Sequence, residues 1–231
     1  MLSNFLSGQA QKVTNIVAAN GDTSSWFKYQ NIILKDLSLQ RLDTATSSFH
    51  FRVWKTNQVV ELWQANNNTY SGQLTSWVTE HVPKNEKPTS RIFINKKALN
   101  TDTIKEIINF IETSRIINLP TDDSIKGWKH GFDGFTYIIE YSTKTSYSLK
   151  TYWTPIAQDS TLAEAKYLQS FIDKIFEWSE DNLTWKTFEK TIPFECYNVG
   201  STIRCKVLTK KKKRQLAHER EVYRKQKIKS E

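Results

Sequence analysis

Between Phe49 and Asn95 the hydrophobic residues recur with a period of two. Phe49, Phe51 and Val53 alternate with His50, Arg52 and Trp54. Side chains two apart share one face of a strand, so this pattern argues for a sheet and against a helix. A second strand over 59–64 follows the turn Lys55-Thr56-Asn57, and Asn66-Asn67-Asn68 separates it from a third, from Tyr70 to about His81. Arg91 to Asn95 supplies a fourth. Short strands joined by polar turns predict an antiparallel meander.

The period then lengthens. Ile104, Ile107, Ile108 and Ile111 recur at helical spacing, behind Thr103 and Glu106. That hydroxyl and carboxylate fit a capping box, which satisfies free N–H groups at a helix start. Pro120 closes the segment. Two more strands span 135–142 and 147–153. A second helix starts at Thr161 and Glu164 and carries the stripe Leu168, Phe171, Ile172 and Ile175. Upstream, Val13, Ile16 and Val17 predict a short helix ended by Gly21, and the alternation of Leu37 and Leu39 favours a strand. The fold class implied is α+β. An antiparallel sheet carries two helices on one face, a C-terminal hairpin, and a basic tail that is helical or disordered. The chain divides into an N-terminal segment (1–23), an α+β domain (24–190), a cysteine-bearing hairpin (191–208) and the tail (209–231).

Charge is distributed unevenly. The formal net charge is +9, but residues 206–231 alone hold 11 basic and 3 acidic side chains, a net of +8. The basic character therefore belongs to the tail, and a basic body that grips nucleic acid is disfavoured. Lys210, Lys211, Lys212, Lys213 and Arg214 form its densest run. Such a run attracts anionic lipid, acidic polymer or nucleic acid. Leu216, Val222, Tyr223 and Ile228 make a poor apolar stripe, so a stably docked tail helix is not expected. Charged residues at 25% and few Gly and Pro exclude wholesale disorder and low complexity. No apolar run approaches the roughly 20 residues of a membrane-spanning helix.

Cys196 and Cys205 are the chain's 2 cysteines. Gly200-Ser201 between them suits a two-residue hairpin turn, with Gly at the first position of type II′. Counting outward, Val199 faces Thr202, Asn198 faces Ile203, Tyr197 faces Arg204, and Cys196 faces Cys205. The cysteines fall at a non-hydrogen-bonded pair, where side chains approach most closely, so a cross-strand disulfide is within reach. Two cysteines do not complete a zinc site, and no histidine lies at ligand spacing from them. No metal site and no cofactor are predicted. At the N-terminus, Gly8 and Ala10 form a small-x-small pattern after an apolar stretch, as at the end of a bacterial secretory signal. Signal remnant and disulfide point to the same side of the membrane, outside the reducing cytosol. The expected location is periplasmic or secreted if Met1 is a start placed too late, and cytoplasmic otherwise.

The densest collection of chemical groups is Gly127-Trp128-Lys129-His130-Gly131-Phe132-Asp133-Gly134, which holds three of the 7 glycines. Trp128 and Phe132 would wall a pocket there. Lys129, His130 and Asp133 would bind its contents, with His130 and Asp133 as an acid–base pair. Asp122 and Asp123 lie just upstream, and Glu140 follows on the next strand. A plainer reading makes Asp133-Gly134 a turn, Trp128 and Phe132 plugs at the core edge, and His130 a surface residue. No nucleophile elbow, phosphate loop or zinc-protease motif accompanies the loop. Trp54, Trp63, Trp77 and Trp153, with Tyr141, Tyr147 and Tyr152, form either a solvent-facing stacking row or core filling; the usual burial of tryptophan favours core.

These features favour an exported, periplasmic or envelope-associated, non-enzymatic binding or structural protein, held near an anionic surface or polymer by its tail. A hydrolase-type enzyme centred on the Gly127–Gly134 loop is the first alternative. A cytosolic nucleic-acid-binding protein that uses the basic tail is the second.

Overall fold

A computed structural model describes residues 12–16, 24–65 and 69–228. The small-x-small pattern at Gly8 and Ala10 lies outside the described residues. The chain opens with β1 (Val13–Asn15) and helix α1 (Ser25–Leu37). Four strands follow: β2 (His50–Lys55), β3 (Gln58–Gln64), β4 (Tyr70–His81) and β5 (Ile92–Ala98). Helix α2 (Thr101–Ser114) leads to β6 (Thr136–Ser142) and β7 (Ser146–Trp153). Helices α3 (Ala163–Trp178) and α4 (Asp181–Thr191) precede the hairpin of β8 (Cys196–Val199) and β9 (Thr202–Cys205), and α5 (Lys210–Ile228) follows.

All nine described strands belong to one mostly antiparallel sheet. The meander runs from β2 to β5 as the period-two pattern predicts. The β6–β7 hairpin adds to the free edge of β2, and β1 pairs parallel to β7 beyond it. Thr79 of β4 opposes Ile92 of β5 and Asn198 of β8. The C-terminal hairpin therefore lies on the same edge of β4 as β3, past the point where β3 ends opposite Ser76. Asn57, in the β2–β3 turn, ties the two together: its side chain donates to Trp77 O at 2.8 Å and accepts from Gly200 N at 2.6 Å.

One sheet face is the apolar core. Phe51, Val53, Val60, Leu62, Leu74, Ile139 and Tyr152 pack there against the Ile104–Ile111 stripe of α2 and the Leu168–Ile175 stripe of α3. Burying each such aliphatic or aromatic side chain contributes about 1.5–3 kcal/mol, which makes this layer the main source of stability. These two helices share one face, as the sequence suggests. The opposite face is covered as well. Leu34 and Leu37 of α1, with Leu39, Leu42 and Ala45 after it, pack on Trp54, Val59, Trp77, Ile138, Tyr147 and Leu149.

Several local expectations are corrected. Leu37 and Leu39 are not strand neighbours: Leu37 ends α1, Ser38 turns left-handed at φ 51°, and Leu39 lies past the cap. Their alternation straddles a helix end. Val13–Asn15 forms a strand instead of a helix, because Ser146–Ser148 offers it a parallel ladder; Val17 and Gly21 lie outside the described residues. The cap of α2 is Asn100, whose side chain accepts from Thr103 N at 2.8 Å, one turn before the expected capping box. Asp159 accepts from Thr161, and α3 begins at Ala163. Helix α4, unanticipated, buries Thr184 and Phe188.

The cysteine hairpin has the expected register, Val199 opposite Thr202 through Cys196 opposite Cys205. Gly200 supplies the positive φ of the turn, 56°. Cys196 and Cys205 are joined as a disulfide, their Cα atoms 4.1 Å apart.

Candidate functional site

The Gly127–Gly134 loop lies on Trp153 of β7. Trp128 is buried and donates its indole N–H to Trp153 O at 3.0 Å. Gln158 clamps Lys129 from both sides, accepting from its N–H at 2.8 Å and donating to its carbonyl at 2.9 Å. A Cβ on Gly131 would stand 2.8 Å from the Trp153 ring, and one on Gly134 would stand 2.3 Å from Thr154 Oγ1. Glycine is required at both positions because the backbone rests directly on these side chains. Trp128 thus plugs the core edge. Phe132 is fully solvent-exposed, so it neither plugs the core nor walls a cavity. Asp133 is exposed and makes no hydrogen bond or ion pair among the described residues.

The partner of His130 is Asp122. Its Nε2 lies 3.1 Å from Asp122 Oδ2 and 3.6 Å from Asp123 Oδ1. Asp122 is buried in a short 3₁₀ turn, Asp122–Ser124, laid against β7. Trp153 N donates to its Oδ2 at 2.7 Å, and Asp123 N and Thr151 Oγ1 donate to its Oδ1 at 3.0 and 3.2 Å. These three donors fix the carboxylate, and the loop resting on Trp153 brings the imidazole to it. Asp122, Asp123 and His130 border a cavity of about 330 Å³, with Trp153, Thr151 and Ser24–Trp26 at the start of α1. The sequence marks the two aspartates only as upstream neighbours. Their pairing with His130 depends on the β7 contact, which no local pattern encodes.

The aromatic residues are mostly core. Trp54 and Trp77 are buried and meet edge to face, ring centres 6.0 Å apart. Trp63 and Trp153 are half-buried. Beside Trp54, on the face covered by α1, lies a cluster of buried charges. Arg52 donates to Glu61 at 2.5 Å and lies 3.7 Å from Glu140. Trp54 Nε1 and Tyr147 OH donate to Glu140 at 2.6 and 2.7 Å. Burial works to raise the Glu61 carboxyl, but the hydrogen bond from His50 and the charge of Arg52 outweigh it and hold it at about 2. Burial pushes the His50 imidazole down. These are neighbours on β2, β3 and β6, brought together by strand register.

The tail is the helix α5, and it is docked. Leu216 and Arg220 are buried. Arg220 donates to both oxygens of Glu86, at 2.9 and 2.8 Å, and lies 3.8 Å from buried Glu80. Arg224 reaches Glu86 at 3.3 Å, and Lys213 reaches Glu195 at 2.7 Å. The hydrogen bond from Arg220 is the main reason the Glu86 carboxyl lies below its usual range. Positions 213, 216, 220 and 224 form a helical stripe in which three of the four residues are cationic. An apolar-stripe test therefore misses the docking, because the stripe is built from arginine and lysine. Lys210, Lys211, Lys212 and Arg214 stay exposed, without an acidic partner among the described residues.

No protein-family model matches this chain, and no curated protein is significantly similar to it.

Proposed function

We propose that this is an exported, non-enzymatic binding protein that attaches to an anionic surface through the first turn of α5. The observation that carries the reading is the set of exposed cations at Lys210, Lys211, Lys212 and Arg214, without an acidic partner among the described residues, held on a helix that Arg220 and Glu86 fix to the body. A cation on a docked helix loses less freedom on binding than one on a loose chain. The near-neutral body adds no general attraction of its own. The Cys196–Cys205 bond supports the export part, because such bonds persist where the surroundings are oxidising.

The test is co-sedimentation of the full chain with phosphatidylglycerol vesicles and with phosphatidylcholine vesicles across a salt series. Binding to the anionic vesicles alone, weakening as salt rises, is expected. Equal binding to both, or to neither, contradicts the reading. Tighter binding to duplex DNA than to the anionic vesicles would favour the nucleic-acid alternative instead.

The hydrolase reading draws on the Asp122–His130 pair beside the cavity hydroxyls of Ser25 and Thr151. It requires His130→Ala to abolish turnover of a substrate while leaving the melting temperature near that of the wild type.

A further inference from the structure

We infer that Asp122, Asp123 and His130 form a binding site for one divalent transition-metal ion, with Zn²⁺ the best fit. One carboxylate oxygen from each aspartate and one ring nitrogen of His130 lie within 4.8 Å of one another. The His130 Nε2 separations are 3.1 and 3.6 Å. Ligand atoms held at about 2.0–2.1 Å from a tetrahedral zinc stand roughly 3–3.5 Å apart, so the two His130 separations already suit a shared ion, and the two carboxylates lie within 4.8 Å of each other. An imidazole with two carboxylates suits a borderline ion, whereas Ca²⁺ and Mg²⁺ prefer shells made of oxygen alone.

The surroundings are those of a built site. Asp122 is buried, and the Trp153 N–H and the Thr151 hydroxyl orient its carboxylate, as outer groups commonly orient a ligating carboxylate. His130 is placed by a loop whose Gly131 and Gly134 rest against Trp153 and Thr154. No hydrogen bond reaches the Asp123 carboxylate among the described residues, although it stands beside the imidazole. Three protein ligands leave one position of a four-coordinate ion open, the arrangement of reactive zinc sites. All three residues line the 330 Å³ cavity, so that open position faces room for water or a small oxygen-donor ligand. The sequence predicts no metal here because the ligands come from two segments that meet only over β7.

The experiment is calorimetric titration of the metal-stripped full chain with ZnCl₂. One equivalent should bind saturably. His130→Ala and Asp123→Asn should each weaken binding by about tenfold or more. Both side chains are partly exposed, so the metal-free melting temperature of each variant should stay near that of the wild type. Asp123→Asn keeps the test decisive if the histidine variant folds poorly. No saturable binding up to about millimolar Zn²⁺ would overturn the inference and leave a simple His–Asp hydrogen bond. Unchanged affinity in Asp123→Asn would also overturn it, because the ion would then sit elsewhere.

Discussion

Arg52 lies fully buried between Glu61 and Glu140, whereas Arg220, almost as buried, meets Glu86 and Glu80 where α5 joins the β4–β5 loop. The first cluster is assembled by the register of three adjacent strands. The second joins residues 134 positions apart in the chain. Inside the sheet one arginine is enclosed with two carboxylates, all three buried away from solvent and so out of reach of a partner. At the α5 joint the acids neutralise one face of the helix only, and Lys210, Lys211, Lys212 and Arg214 have no acidic partner among the described residues. The same pair of residue types serves the core in one place and orients an interaction surface in the other.

The largest effect is expected from Glu61→Ala, which leaves Arg52 buried beside Glu140 alone, at 3.7 Å and without a hydrogen bond to it. Breaking a buried pair by removing one partner costs about 3–5 kcal/mol, read as a lower denaturant midpoint. A loss below about 1 kcal/mol would mean that the buried cluster is no more important than a surface pair.

Acidification probes the same cluster without mutation. Glu61 has a folded value of about 2, below its ordinary one, so its stabilisation is present above the ordinary value and is lost as pH falls towards 2. His50 is also lowered, so protonating it opposes folding as pH drops below its ordinary 6.5. Both signs agree: the melting temperature should fall from near pH 6.5 downward and most steeply below about pH 4. Glu61→Gln should flatten the steep lower part. An unchanged acid profile in that variant would assign the loss to other carboxylates.

A smaller and more local effect is expected from Glu86→Ala, about 1–2 kcal/mol from the lost charge-assisted hydrogen bonds of Arg220 and Arg224. Amide exchange should quicken across 210–228 while β2 and β3 keep their protection. Quicker exchange in all of these segments would show that α5 is a full part of the core and erase the contrast between the clusters.

The sheet was legible because its strands are short and alternate, and α2 and α3 because four isoleucines and a Leu168–Ile175 stripe keep helical spacing. The hairpin was legible because a two-residue turn sets its register, which places Cys196 opposite Cys205. Other features depended on contacts that no local pattern encodes. Leu37 and Leu39 alternate across the end of α1. Val13–Asn15 is a strand because Ser146–Ser148 pairs with it. The candidate loop was found by its glycines, but its chemistry was placed one partner away: His130 meets Asp122, while Asp133 has no polar partner among the described residues. The docking of α5 was hidden because its buried stripe is cationic, and hydrophobic periodicity does not register an arginine that pairs with Glu86.

The central claim is that the exposed cations of the α5 first turn carry attachment to an anionic surface. The direct measurement is vesicle binding by a variant in which Lys210, Lys211, Lys212 and Arg214 are all changed to glutamine while Arg220, Arg224 and Glu86 are kept. Each basic residue near an anionic membrane contributes about 1 kcal/mol, so affinity for phosphatidylglycerol vesicles should fall roughly 100- to 1000-fold, with the melting temperature unchanged. Wild-type affinity in this folded variant would contradict the account.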